Sequence, residues 1–265
     1  MFDRFERHIN YLRISVTDKC NMRCVYCMPA EGVPMLRHED MLSFEEICAF
    51  TREAVSLGIR KVRLTGGEPL VRRDIVTLVA MLSKIPGIED FAMTTNGALL
   101  RDYAGALAAA GLHRVNVSLD SRDPDYFAMI TRGGDVHQVI AGIEAALAAG
   151  LTPVKLNCVI QHSPEEPHAR SVSEYGRSMG LEVRFIRRMN LSQGEFSTVI
   201  GGAGGDCEHC NRLRLSCTGL VRPCLFSDLE FNIRALGAEA AIRQAVAMKP
   251  RCGGVSSAFF HAIGG

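Results

Sequence analysis

Tryptophan is absent from the 265 residues, aromatics make up only 6%, and no low-complexity segment or internal repeat can be read. Net charge is scarce too: 30 Lys and Arg against 29 Asp and Glu leave +1, which gives no reason to expect a nucleic-acid or membrane-surface binder. Any basic site must therefore be local. No apolar run reaches the roughly 18 residues that a bilayer span needs. Met1 to His8 mixes acids and bases without an apolar core, so a secretory signal is not expected. What remains, 22% charged and 47% apolar, is ordinary globular composition, long enough for one large α/β domain or a domain with an appendage. Cysteine is plentiful at 10, and in a chain of this kind that points to metal or redox chemistry in a reducing, cytoplasmic compartment.

Three of those cysteines, Cys20, Cys24 and Cys27, stand at C-x3-C-x2-C spacing on one short stretch. Three thiolates are one too few for structural zinc, unless a distant His or Cys completes the set. A four-iron cluster held by three cysteines instead keeps one iron open for another ligand. A disulfide is the weakest reading, because three is odd. A second set, Cys207, Cys210 and Cys224, follows C-x2-C-x13-C spacing and again has three members; a zinc ribbon with Cys217 as fourth ligand stays open there. Cys48, Cys158 and Cys252 have no ligand-like spacing and read as small buried hydrophobes.

Short β-rich runs near 11–16, 60–65, 90–95, 113–119, 152–160 and 182–187 alternate with helical patterns near 44–57, 74–84, 99–110, 136–149 and 165–179. That order predicts α/β structure with a parallel sheet, as a partial (βα)6 TIM-type barrel; an open doubly wound sheet stays possible. Two regions are expected: a barrel over 1–190, and a small C-terminal cluster-binding extension over 191–265. Within the strands, polar residues alternate with apolar ones. One face must pack on helices, so Arg13, Lys61, Arg63, Lys155 and Arg184 should point to the other side. Five inward cations outnumber the acids in phase with them, and a polyanionic, phosphorylated ligand would balance them. Loops after successive strands carry the cysteine stretch, Gly66-Gly67-Glu68-Pro69, Thr95-Asn96-Gly97 and Ser118-Leu119-Asp120, which is the layout of one shared site.

The Cys20/Cys24/Cys27 spacing, with Tyr26 before the last cysteine, resembles the radical S-adenosylmethionine (SAM) superfamily. Asn10 to Asn21, Arg63 to Leu70, Thr94 to Gly97, Asn116 to Ser121, Ile130 to Arg132, Cys207 to Leu215 and Arg222 to Phe226 narrow the resemblance to the GTP 3′,8-cyclase family, which opens molybdopterin synthesis. The resemblance implies two 4Fe-4S clusters, one on each cysteine set, with SAM on the open iron of the first and the guanine of GTP on the second. It implies SAM contacts at Gly67, Ser118 and Met189, with Glu68 and Asn157 as additions and Tyr26 in the cluster loop. GTP contacts are expected at Arg13, Arg63, Thr94 and Lys155 and along Arg212-Leu213-Arg214, with Lys61 and Arg184 added from the alternation. Arg212 and Arg214, and a terminal Gly264-Gly265 that reaches the site, are the expected catalytic elements. The implied reaction starts from a 5′-deoxyadenosyl radical that removes the ribose 3′ hydrogen, after which that carbon attacks guanine C8. Implied partners are a flavodoxin- or ferredoxin-like reductant and a downstream cyclic pyranopterin monophosphate synthase; a homodimer is open, and neither nucleic acid nor membrane is expected. Only 17 residues separate Met189 from Cys207, fewer than is usual for the family, and Arg187 stands where an acid is common. Two rivals remain: a radical SAM maturase acting on a peptide, and a shortened non-catalytic relative that binds GTP or a partner.

Overall fold

The computed structural model describes residues 1–34, 36–258 and 260. Six strands fall where the alternation places them: β1 (Tyr11–Ser15), β2 (Lys61–Thr65), β3 (Asp90–Thr95), β4 (Arg114–Ser118), β5 (Lys155–Ile160) and β6 (Glu182–Arg187). All are parallel to their neighbours. Strand β5 starts only at Lys155 because Pro153 has no N–H to give to a ladder. Helices α1 (Phe44–Ser56), α2 (Ile75–Ser83), α3 (Leu100–Ala109), α5 (Val136–Ala148) and α6 (Pro167–Met179) cross over between the strands, and α4 (Pro124–Thr131) adds a short helix before α5. Helix α4 has no counterpart in the helical patterns of the sequence, although Asp123 caps it by accepting from the Tyr126 N–H and Pro124 stands in its first turn.

The sheet does not stop at six. Strand β7 (Arg212–Leu215) adds in parallel on the free side of β1, and β8 (Leu220–Arg222) and β9 (Phe231–Asn232) follow antiparallel. The order among the described residues is β6-β5-β4-β3-β2-β1-β7-β8-β9, so β1 is an interior strand, next to the middle one. The result is a partial barrel of six βα units widened by three strands, with β6 and β9 as open ends. Helix α7 (Ile233–Leu236) and helix α8 (Ala238–Ala247) complete it.

One face of the sheet carries the apolar half of the alternation. Leu12, Ile14, Val62, Leu64, Val115, Val117 and Leu156 are buried there under the helices. Ile242, Ala245 and Val246 of α8 belong to the same core, so the C-terminal helix seals the same layer as the crossovers. A small separate cluster of Leu191, Leu225 and Phe226 supports the loops over the strand ends. Among the described residues no helix is long and apolar enough to cross a membrane.

Candidate active site

Parallel strands bring all the βα loops to one end, and the residue types singled out in the sequence meet there. The loop after β1 carries Cys20, Cys24 and Cys27; the loop after β2 turns through Gly66 and Gly67 and lies directly on it. Gly67 N–H donates to Thr17 O at 2.8 Å, and Glu68 N–H to Lys19 O at 2.8 Å. A Cβ on Gly67 would stand 2.3 Å from the Lys19 carbonyl oxygen, so only glycine permits this approach. Glu68 is buried: its carboxylate accepts from Leu70 N at 3.0 Å, Thr95 Oγ1 at 2.8 Å and Asn96 N at 2.6 Å. Burial pushes that carboxyl up to about 7, against the pull of the three donors. Glu68 thereby ties the β2 loop to the β3 loop.

The three thiols of the first set lie in an environment suited to a cationic cluster. Cys20 Sγ accepts from Met22 N at 3.4 Å and from Asn96 Nδ2 at 3.7 Å. Burial pushes Cys24 up to about 12, with Asp120 and the other two thiols adding to the rise, and pushes Cys27 up to about 11 with help from Cys20. Cys24 is raised by Cys20 and Cys27, a repulsion that a metal centre replacing the protons would remove; among the described residues the thiols are not drawn together into a ready-made set of three ligands. Tyr26 donates from its hydroxyl to Asp120 Oδ2 at 2.5 Å, while Asp120 Oδ1 accepts from Val159 N at 2.7 Å. Asp120 is thus the anchor that holds the cysteine loop against β4 and β5; the sequence reading noted its position but gave it no such role.

Beside this loop opens a cleft of about 650 Å³, lined among others by Tyr26, Cys27, Met189, Asn190 and Ser257. It brings together Tyr26 and Met189 of the expected SAM contacts. Ser118 and Asn157 sit side by side in register on β4 and β5, on the polar face of the sheet rather than in the cleft wall.

That polar face is organised as cross-strand rows. Arg63, Arg13, Arg214 and Arg222 lie in register across β2, β1, β7 and β8. Neighbouring strands are spaced at about 4.8 Å, so four guanidinium stems start within repulsive range of one another. Lys61, Tyr11 and Arg212 form the next row, with Arg63 and Arg212 over the Tyr11 ring at 5.6 and 5.7 Å. Burial pulls Arg13 down to about 9, with Arg214 adding to it, and pulls Arg63 and Arg214 down to about 10. All three stay charged at neutral pH. Arg63 Nη1 reaches Thr94 Oγ1 at 3.3 Å, yet its Nε is buried without a hydrogen-bond partner, as is Asn116 Nδ2 in the row beside Thr94. Leu213, between the two arginines of β7, points into the apolar core.

Two of the five expected cations do have a protein anion. Glu182 on β6 takes both Lys155 Nζ at 2.5 Å and Arg184 Nε at 2.6 Å, one carboxylate shared by two cations, so the in-phase acids remain fewer than the cations. Asp90 similarly takes Arg114 at 2.6 and 2.8 Å, and Arg222 is tied to Glu230. Of the arginine row, Arg63 is the residue with a buried donor left open, and Arg13 and Arg214 stand beside it on the next two strands. Arg187 lies exposed at the far end of β6, on the opposite side of the strand from Arg184.

The second cysteine set lies where β7 begins: Cys207 and Cys210 lead into β7, and Cys224 follows the antiparallel β8. Burial pushes Cys207 up to about 11, with Cys252 and Cys224 contributing. Burial raises Cys210 as well, but Lys249, Arg212 and Arg214 outweigh it and hold that thiol below its ordinary value. Lys249 is 1% exposed, and its ammonium donates to the Arg212 and Pro223 carbonyls, bridging β7 to the segment that carries Cys224. Sequence patterning offered no signal for Lys249, since a lone lysine after a helix normally faces solvent. An open alternative loses ground here, and one expectation fails. Cys217 is buried beside Ser15, Asp18 and Arg72, away from this set, because it follows β7 back toward the first loop. Cys252, expected in the core, is exposed, with its Sγ 3.0 Å from Cys207 Sγ. Cys48 and Cys158 are buried as expected. Gly264 and Gly265 lie outside the described residues.

Residues 14–169 match the radical SAM superfamily. The chain is 42% identical to a GTP 3′,8-cyclase of Moorella thermoacetica over 94% of each chain, and 42% identical to one of Petrotoga mobilis over 88% of this chain and 86% of the relative. It belongs to the GTP 3′,8-cyclase family. The Moorella alignment runs over 303 positions, more than the 265 residues here, so that family member carries residues with no counterpart in this chain. Among solved structures, anSMEcpe with bound AdoMet and the Kp18Cys peptide superposes with a TM-score of 0.62 over 91% of this chain and 81% of that one; at 14% identity this speaks for the fold alone. Membership of the superfamily brings SAM and a 4Fe-4S cluster, and Cys20, Cys24 and Cys27 stand at the spacing expected for its ligands.

Proposed function

We propose that the chain is a radical SAM GTP 3′,8-cyclase, converting GTP to (8S)-3′,8-cyclo-7,8-dihydroguanosine 5′-triphosphate in molybdopterin synthesis. The observation that carries this is the row Arg63, Arg13 and Arg214, two buried cations and one half-buried cation on adjacent strands of the polar face whose strand ends bear the cysteine loop. A triphosphate is a ligand of matching charge, and arginine's planar fork suits phosphate oxygens. Family membership supports the same substrate.

In this reading Arg13, Lys61, Arg63, Thr94, Lys155, Arg184, Arg212 and Arg214 surround GTP, with Leu213 buried between the last two as the packing anchor of β7. Glu182 shares Lys155 and Arg184, so those two bind the substrate in competition with a protein carboxylate. Gly67, Glu68, Ser118, Asn157, Met189 and Tyr26 frame SAM, Glu68 by bracing the loops. Cys207, Cys210 and Cys224 hold a second four-iron cluster, with Lys249 as a nearby buried cation. The iron–sulfur and SAM pair, when bound, supplies one-electron radical chemistry that no side chain can. The chain's own part is to orient the ribose and guanine, neutralise the triphosphate and exclude water. The terminal Gly264-Gly265 is assigned to the catalytic end of the same site. The reductant is a flavodoxin- or ferredoxin-like protein, the product passes to a cyclic pyranopterin monophosphate synthase, and the compartment is the cytoplasm.

The test is anaerobic reconstitution, an iron count, and incubation with SAM, reductant and GTP. About eight irons per chain with 5′-deoxyadenosine and a cyclised nucleotide is the expected result. Deoxyadenosine formed without a GTP product favours a peptide-modifying activity, and neither product favours a non-catalytic GTP or partner binder.

A further inference from the structure

Cys252 and Cys207 are 45 positions apart in sequence, and their sulfurs are 3.0 Å apart in space. A buried arginine enforces this proximity. Arg7 Nη1 donates to Cys207 O at 2.6 Å and to Arg251 O at 2.9 Å, and Arg7 Nη2 donates to Pro250 O at 2.7 Å. Its Nε is paired with buried Asp3 at 2.7 Å, so the guanidinium is fixed from behind while it clamps both segments in front. Gly253 leaves no slack, since a Cβ there would lie 2.7 Å from Phe226 Cβ. The two thiols are therefore held in place from both sides, and one of them, Cys252, is open to solvent.

We propose that Cys207 and Cys252 form a reversible disulfide in the chain before the second cysteine set is loaded, so that a prospective cluster ligand is masked by oxidation and released by reduction. The oxidant class is a small-molecule disulfide such as glutathione disulfide. The exposed Cys252 thiolate attacks one glutathione sulfur, forming a mixed disulfide and expelling one glutathione thiolate. The Cys207 thiolate then attacks Cys252 Sγ, forming the Cys207–Cys252 bond and expelling the second. Two protein thiols lose two electrons and two protons; one glutathione disulfide gains them as two thiols. Backbone clamping favours the second step, because the resolving thiol is already in reach. Cys210 and Cys224 are left reduced.

The consequence for cluster loading rests on the two-cluster reading, but the disulfide itself does not. The full-length chain, freed of iron by chelation and reduced, is incubated without oxygen with glutathione disulfide and mapped by mass spectrometry without reduction. A peptide pair linked through Cys207 and Cys252, two hydrogens lighter than the reduced pair, should dominate over every other linkage and disappear on dithiothreitol treatment. In Cys252→Ser, an exposed replacement, Cys207 should stay unlinked. Iron taken up by the oxidised wild type, in a loading mixture without thiol, should fall to roughly half of that in oxidised Cys252→Ser. In the iron-loaded wild type, Cys207 should resist alkylation while Cys252 reacts. Glutathione found on Cys252 with Cys207 free, or Cys207 linked equally to Cys210 or Cys224, would overturn the proposal. A dominant crosslink with no difference in iron uptake would retain the disulfide and remove the masking role. If the second cluster is itself absent, Cys252→Ser holds only one cluster's iron while the crosslink still forms in the wild type, so the two failures are told apart.

Discussion

Gly67 is the residue at which the cysteine loop and the β2 loop touch. Its missing side chain is a matter of space: the Lys19 and Asp18 carbonyl oxygens would sit 2.3 and 2.7 Å from a Cβ. Gly67→Ala must push the cysteine loop away, at a cost of about 1–3 kcal/mol in stability. The expected outcome is a lower urea midpoint and loss of iron from the first set, with iron on the second set retained; an unchanged iron count would show that the loop can move without consequence. Arg63 poses the opposite case, a buried donor with an open hydrogen-bonding position. Arg63→Met removes a charged hydrogen bond worth about 1.5–3 kcal/mol and should weaken GTP binding roughly 10- to 100-fold, read by calorimetry with the clusters in place. SAM binding should be unaffected. Both residues were legible in the sequence, Gly67 through its Gly-Gly-Glu-Pro context and Arg63 through strand alternation. Arg7, Lys249 and Cys252 were not, because each acts on a partner far away in sequence.

At the scale of elements, α1 shows how one side chain serves two purposes. Ser43 and Glu46 form a capping box, with Glu46 N–H on Ser43 Oγ at 3.1 Å and Ser43 N–H on Glu46 Oε2 at 2.8 Å. The same carboxylate takes Arg234, from the start of α7, at 2.8 and 3.0 Å. The Arg234 hydrogen bonds hold Glu46 down to about 2, outweighing its partial burial. A depressed folded-state pKa means that the contribution is complete above the ordinary glutamate pKa of about 4.3 and is lost as pH falls toward 2. Because the pair is partly exposed, its worth is at most ~1 kcal/mol. Glu46→Gln should therefore be less stable than wild type at pH 6 by that amount, and the gap should narrow below about pH 4 and close as unfolding is followed down to about pH 2. The cap at α1 could be read from Ser43 and Glu46 alone. The Arg234 pairing, 188 positions away, could not.

For the whole molecule, the interior place of β1 decides what can be removed. The sequence division at 190 puts β1 to β6 on one side and β7 to β9 with α8 on the other. In the structure β7 pairs with β1 from Tyr11 to Ile14, and α8 buries Ile242, Ala245 and Val246 in the main core. A chain ended after residue 190 would expose the edge of β1 and the apolar face under α8. It should be aggregated in size-exclusion chromatography and lack a cooperative unfolding transition; a monomeric, cooperatively folded product would instead support two independent regions.

What the sequence determined by itself is whatever depends on near neighbours along the chain. Period-two alternation set the six strands and the polar face, loop punctuation set the end that bears the site, and cysteine spacing together with motif resemblance set the chemistry. Tertiary structure decided everything that depends on which segments meet. It made Arg-Leu-Arg-Leu at 212–215 a strand beside β1 and so completed the arginine row. It gave Lys155 and Arg184 one shared carboxylate, Glu182, buried Cys217 away from the second set, and brought Cys252 to Cys207 under the clamp of Arg7. These are long-range pairings chosen by packing and charge, and no local pattern encodes them.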